Sequence, residues 1–147
     1  WSEDGDRVLG ATSVDRWSYA ASKGVCEQML YGVHRKTGLP FSIVRFFNVY
    51  GPRQNPGSPY SGVISIFAKR IAQEKEITIF GDGEQTRDFV YAGDIAAGIF
   101  AALQTDQVNA SYNLSTQTET SLRELVNILS NIAPIHFGHH VERKIYT

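Results

Sequence analysis

The sequence predicts an α/β fold. Three observations carry that expectation: apolar residues recur at helical spacing in several stretches, short runs of β-branched and aromatic residues lie between them, and Gly, Pro and Asn punctuate the joins. The chain of 147 residues, 42% hydrophobic and 12% aromatic, is long enough to bury an ordinary globular core.

Residues 1–16 are polar and rich in turn formers, and the first residue is Trp1 rather than Met, so the expectation is a fragment of a longer protein. No proline interrupts Ser18 to Lys36, where Val25, Met29, Leu30 and Val33 recur at helical spacing before Gly38 and Pro40 stop the run. Phe41 to Phe47 (FSIVRFF) is dense in strand formers and mostly apolar, as a parallel strand covered on both faces would be. Residues 48–62 hold three prolines and three glycines and are expected to form a long loop without regular structure. Val63, Ile64, Phe67 and Ile71 mark a helix, Ile77 to Phe80 a short strand, and Asp82-Gly83 a tight turn. Asp94 suits the first turn of a helix running through Ile95, Ile99 and Leu103, and Tyr112 to Leu114 reads as a further strand. Ser121 and Glu124 fit a capping box, opening a helix with Leu122, Leu125, Val126, Leu129 and Ile132 on one stripe and ending before Pro134. Only about two full-length strands are visible, so more chain or a partner is expected to complete the sheet.

Charge and composition exclude several functions. With 14 Lys and Arg against 15 Asp and Glu, a net charge of −1 gives no broad basic field, so neither nucleic acid nor a membrane surface is an expected partner. No apolar run approaches the roughly 20 residues of a membrane span. The lone Cys26 cannot form an internal disulfide, which makes a reducing, cytoplasmic location the expectation, and it reads as a packing residue. His136, His139 and His140 have no cysteine nearby and no second ligand cluster, so no metal site is expected and a solvated tail is the better reading. Glu3-Asp4 and Glu74-Glu76 read as solvated surface.

Tyr19 and Lys23 stand four apart on the first predicted helix, which places them on one face about a turn apart. A free phenol with a pKa near ~10 is a poor base at neutral pH, and a nearby ammonium favours the phenolate. Taken alone, such a pair is weak evidence. Asn48 reads first as turn chemistry, Arg87 as a surface pairing with Asp88 or Glu84, and Phe80 as core.

Together, WSYAASKGVCEQ, FSIVRFFNVYGPRQ and ITIFGDGEQTRDFVYAGDIAAGI resemble, in order and spacing, the extended short-chain dehydrogenase/reductase family. More narrowly, they resemble its NAD-dependent nucleotide-sugar epimerase/dehydratase group, from about Leu9 to about Phe137. The resemblance implies the C-terminal part of a Rossmann-type doubly wound sheet plus a small substrate-binding domain. Residues 1–50 would be the last part of the dinucleotide-binding domain and 51–147 mostly the nucleotide-sugar domain. It implies Tyr19 as the acid/base at a sugar hydroxyl, with NAD as hydride acceptor. Lys23 would hold the nicotinamide ribose and lower the tyrosine pKa, and Phe47 would lie beside the nicotinamide. Asn48 and Arg87 would contact the diphosphate of a UDP- or dTDP-linked sugar, and Phe80, with Val63 as a weaker candidate, would line the base pocket. Homodimerisation through a bundle containing the tyrosine helix is implied too, and Met29, Leu30 and Val33 could face a partner or the core.

The sequence holds no GxGxxG turn, which the family places upstream, and Thr12 and Ser13 are too close to Tyr19 to be the family's catalytic Ser or Thr. The C-terminal HHVERKIYT lacks the arginine and acidic residue that commonly complete the nucleotide site. The piece alone is therefore expected to be inactive. RFFNVYGPRQNPGSPYSGVI looks more like epimerases than like dehydratases, whose strand usually ends N-N-Y-G-P, so a 4-epimerase is the expectation. A 4,6-dehydratase or decarboxylase of the same family, or a non-catalytic nucleotide-sugar binding module, are the alternatives.

Overall fold

The computed structural model describes residues 2–58, 60–137 and 143–146. After a short 3-10 turn at Asp15–Trp17 come α1 (Ser18–Thr37), β1 (Ser42–Phe46), β2 (Asn48–Tyr50), α2 (Val63–Ala72), β3 (Ile77–Phe80) and β4 (Thr86–Arg87). They are followed by β5 (Phe89–Tyr91), α3 (Ala92–Gln104), β6 (Ala110–Leu114), β7 (Thr120–Ser121), α4 (Leu122–Phe137) and β8 (Arg143–Tyr146). The fold is α/β, as the sequence predicts. The chain forms two compact units, Trp1–Arg45 with Gly98–Asn113 and Phe46–Ala97 with Leu114–Thr147.

In the first unit, α1 ends where expected: Gly38 takes φ 71°, and its N–H donates to the His34 carbonyl at 2.8 Å. That left-handed cap is cheap only for glycine. The covered face of α1 carries Ala21, Gly24, Glu27, Tyr31 and His34, all half-buried. Tyr31 and His34 pack edge-on against Phe41, with ring centroids 4.9 and 5.8 Å apart. Val25, Met29, Leu30 and Val33, whose spacing predicts the helix, lie on its exposed side at 41–64% exposure. Cys26 is exposed among them and is not the packing residue expected. β1 pairs with β6, and buried Ile43 anchors the strand.

The irregular N-terminal segment is fastened to this unit by charge. Arg45 donates from Nε and Nη2 to the two carboxylate oxygens of Glu27, at 3.0 and 2.7 Å, and Arg7 pairs with the same carboxylate. Arg45 also donates to the Glu3 carbonyl at 2.8 Å, while the Glu3 carboxylate accepts the Asn113 N–H at 3.0 Å. Glu3 is exposed, in line with its reading as solvated surface, and makes these contacts at the surface. Hydrogen bonding to Arg45 first, and to Arg7 next, holds the Glu27 carboxyl below its ordinary range against the opposing effect of burial.

The second unit has its own core. Phe67 and Ile71 of α2, Ile77 and Ile79 of β3, and Leu125, Val126, Leu129 and Ala133 of α4 are buried together. Period-two alternation puts Ile77 and Ile79 inward and Phe80 outward. Ser121 Oγ accepts the Glu124 N–H at 3.1 Å, which supplies the serine half of the expected capping box. β2 and β5 run parallel with Asn48 opposite Phe89, β3 and β8 are also parallel, and β4 and β7 are antiparallel.

Three expectations need correction. Residues 48–50 are a strand rather than loop, because Val49 and Tyr50 are strand formers and the breakers begin only at Gly51-Pro52. α4 runs through Pro134 to Phe137, since a proline costs one backbone bond near a helix end while Leu129 and Ala133 keep that turn seated in the core. The tail is not wholly irregular: β8 gives β3 a parallel partner. His139 and His140 lie outside the described residues, and no cluster of metal-ligating side chains is found among the described ones. No helix among them is long and apolar enough to cross a membrane.

Candidate active site

In the first unit, the i, i+4 spacing places Tyr19 and Lys23 one turn apart on α1, with Lys23 Nζ 5.5 Å from the centroid of the Tyr19 ring. Tyr19 is 71% exposed, so the phenol is open to a ligand. Phenol and ammonium thus share one face of α1.

In the second unit, Asn48, Val63 and Arg87 line one cavity of about 180 Å3, joined by Tyr50, Gln54 and Gln85. Asn48 stands at the start of β2, Val63 opens α2, and Arg87 ends β4. The Asn48 amide is oriented: its Nδ2 donates to the Asp88 carbonyl at 3.1 Å, and its backbone N–H donates to the same oxygen at 2.9 Å. Arg87 donates from Nη1 to the Thr86 carbonyl at 2.7 Å. The surface pairings read for it are otherwise occupied: Glu84 bridges Arg123 at 2.9 Å, and the Asp88 carboxylate accepts from Thr116 and Gln117. Arg87 has no ion pair among the described residues. One guanidinium with several remaining donors, ringed by neutral amides, suits an anionic oxygen cluster.

Phe47 and Phe80 do not line that cavity. Phe47 is half-buried, and its N–H donates to the Leu114 carbonyl at 3.2 Å. Phe80 is 77% exposed, with its carbonyl accepting Gln85 Nε2 at 3.1 Å. It is exposed and is not the core residue of its blander reading. Gln54 and Gln85 were not singled out from sequence, although both sit inside quoted motifs, GPRQ and GEQTRDF.

The chain combines an α/β fold with parallel strand pairs, a helical Tyr/Lys pair in the first unit and an arginine–asparagine cavity in the second. The family model for the NAD dependent epimerase/dehydratase family matches residues 3–115, and the chain belongs to that family. It is 42% identical over 125 residues to UDP-N-acetyl-alpha-D-glucosaminuronate decarboxylase of Bacillus cytotoxicus, covering 85% of this chain and 38% of that one. It is also 42% identical over 113 residues to a putative UDP-glucose 4-epimerase of Methanocaldococcus jannaschii, covering 77% and 36%. Among solved structures it is similar to UDP-glucose 4-epimerase of Thermotoga maritima with UDP-glucose, at TM-score 0.78 and 32% identity, covering 88% of this chain and 40% of that one. The chain thus spans about two fifths of the length of these relatives.

Proposed function

We propose that the protein to which this chain belongs is an NAD-dependent nucleotide-sugar 4-epimerase acting on a UDP- or dTDP-linked sugar. In this reading Tyr19 removes the proton of the sugar 4-hydroxyl and later returns it. Lys23 stabilises the phenolate and holds the nicotinamide ribose. Phe47 lies beside the nicotinamide, as the motif implies. Bound NAD supplies the acceptor and then the donor of the electron pair at C4. Asn48 and Arg87 hold the diphosphate, Phe80 stacks on the base, and Val63 lines the same region. Residues 1–50 serve the dinucleotide side and 51–147 mostly the substrate side. The observation that carries the reading is the Lys23 ammonium seated beside an exposed Tyr19 ring. A binding module that never turns its ligand over needs neither group.

A second reading has its own support. The relative from Bacillus cytotoxicus is a decarboxylase, so oxidation at C4 followed by loss of carbon dioxide from a uronate fits equally well. Incubating the full-length protein with UDP-glucose, UDP-N-acetylglucosamine, UDP-glucuronate and dTDP-glucose separates the two. Epimerised product of unchanged mass supports the first, and carbon dioxide release supports the second. In either case Tyr19→Phe lowers kcat by roughly 10²–10⁴ with substrate affinity nearly unchanged. Unaltered turnover in that variant overturns the role of Tyr19.

The exposed apolar stripe of α1, Val25, Met29, Leu30 and Val33, supports a homodimer built on this helix. Location in the cytoplasm agrees with the lone cysteine.

A further inference from the structure

Asp88 sits between Arg87 and the first residue of β5, is half-buried, and touches two parts of the second unit at once. Its carbonyl accepts both the backbone N–H and the side-chain Nδ2 of Asn48, at 2.9 and 3.1 Å. Its carboxylate faces the turn after β6. There it accepts the Thr116 N–H at 3.0 Å on each oxygen, the Thr116 hydroxyl at 2.8 Å and the Gln117 N–H at 2.9 Å. Gln117 has φ 60°, a left-handed conformation that a non-glycine residue holds only when its surroundings fix it. The same residue therefore orients one cavity residue, directly follows another, and is itself moored to a turn 28 residues away.

We propose that Asp88 is a positioning residue for the diphosphate-binding groups. Its carboxylate anchors the start of β5, so that its carbonyl aims the Asn48 amide while the adjoining Arg87 keeps its place at the cavity. With one Nδ2 proton committed to Asp88, Asn48 presents its other N–H and its Oδ1 in a fixed direction. Without the carboxylate, the Thr116 and Gln117 N–H groups lose their acceptor, the strand start is released, and both ligand-facing groups lose their aim. Preorganisation of this kind acts on binding, because groups already held in the bound geometry lose less freedom when the ligand docks.

The inference rests on the nucleotide-sugar reading, and the test keeps the two apart. UDP is titrated calorimetrically into the full-length protein, with the melting temperature measured in parallel. Asp88→Asn, which keeps the size but turns a donor toward the Thr116 and Gln117 N–H groups, weakens UDP binding roughly 10- to 100-fold. In turnover assays the change falls on KM rather than on kcat. Thr116→Val removes one of the carboxylate's donors while leaving its backbone bonds, and weakens UDP binding a few-fold; it also decides the matter if Asp88→Asn does not fold. A lower melting temperature with wild-type UDP affinity in the folded variants makes Asp88 a loop clamp only and overturns the proposal. Failure of the wild-type protein to bind either UDP or dTDP, titrated in the same way, overturns the nucleotide-sugar reading and this inference with it.

Discussion

Arg87 tests how much a single guanidinium contributes to the cavity. A planar fork can grip two phosphate oxygens at once, whereas an ammonium acts as a point charge. Arg87→Lys in the full-length protein is expected to raise KM for a nucleotide sugar about tenfold, roughly 1.4 kcal/mol, with a smaller change in kcat; steady-state kinetics decide this. Gly83 is constrained by backbone instead. It takes φ 78°, and a Cβ there would stand 3.0 Å from Arg123 Cγ and 3.3 Å from Ile79 Cγ2. Gly83→Ala is expected to cost about 1–3 kcal/mol in denaturant unfolding. At this scale Asn48 and Arg87 stood out because each lies inside a motif with fixed spacing, Val63 was a weaker candidate, and the three line one cavity. Asp88 was read only as a surface partner for Arg87. Its role depends on Thr116 and Gln117, and no local periodicity joins residues so far apart in the chain.

Among elements, α1 shows what periodicity reports and what it does not. The repeat of Val25, Met29, Leu30 and Val33 predicted the helix correctly, yet the face turned inward carries Gly24, Glu27 and Tyr31 instead. A sequence cannot say which side of a helix a charged residue takes when its partner lies on another element. Here Arg45 of β1 draws Glu27 inward. That clip should be visible in acid. The folded pKa of Glu27 is depressed, so its stabilisation is full above the unfolded value near ~4.3 and is lost as pH falls through the lower, folded value. Glu27→Gln is expected to lose about 1–2 kcal/mol at pH 7 after allowance for solvent screening. Thermal melts should show the gap between wild type and variant narrowing from pH 6 to pH 3, and a constant gap would count against the clip. β2 was hidden because three strand residues abut a loop rich in Pro and Gly, and β8 because a four-residue strand in a polar tail carries little pattern of its own.

For the molecule as a whole, the core of the second unit should dominate that unit's stability. Ile77 is fully buried between α2 and α4, and Ile77→Ala is expected to cost about 2–5 kcal/mol. Assembly is the other property of this scale. Met29→Glu in the full-length protein places a charge in the middle of the exposed α1 stripe. Light scattering is expected to show the wild type as a dimer and the variant as a monomer at micromolar concentration, and equal masses would remove α1 from the interface. The shortage of strands noticed in the sequence has a partial answer in short β2, β5 and β8, which pair in parallel without any long apolar run to announce them.

The α1 stripe also carries its own reporter. Cys26 is the sole thiol of the sequence and stands exposed between Val25 and Met29. Its rate of alkylation by a maleimide, followed by mass spectrometry on the peptide that carries it, thus reports whether that face is covered, two helical turns from Tyr19.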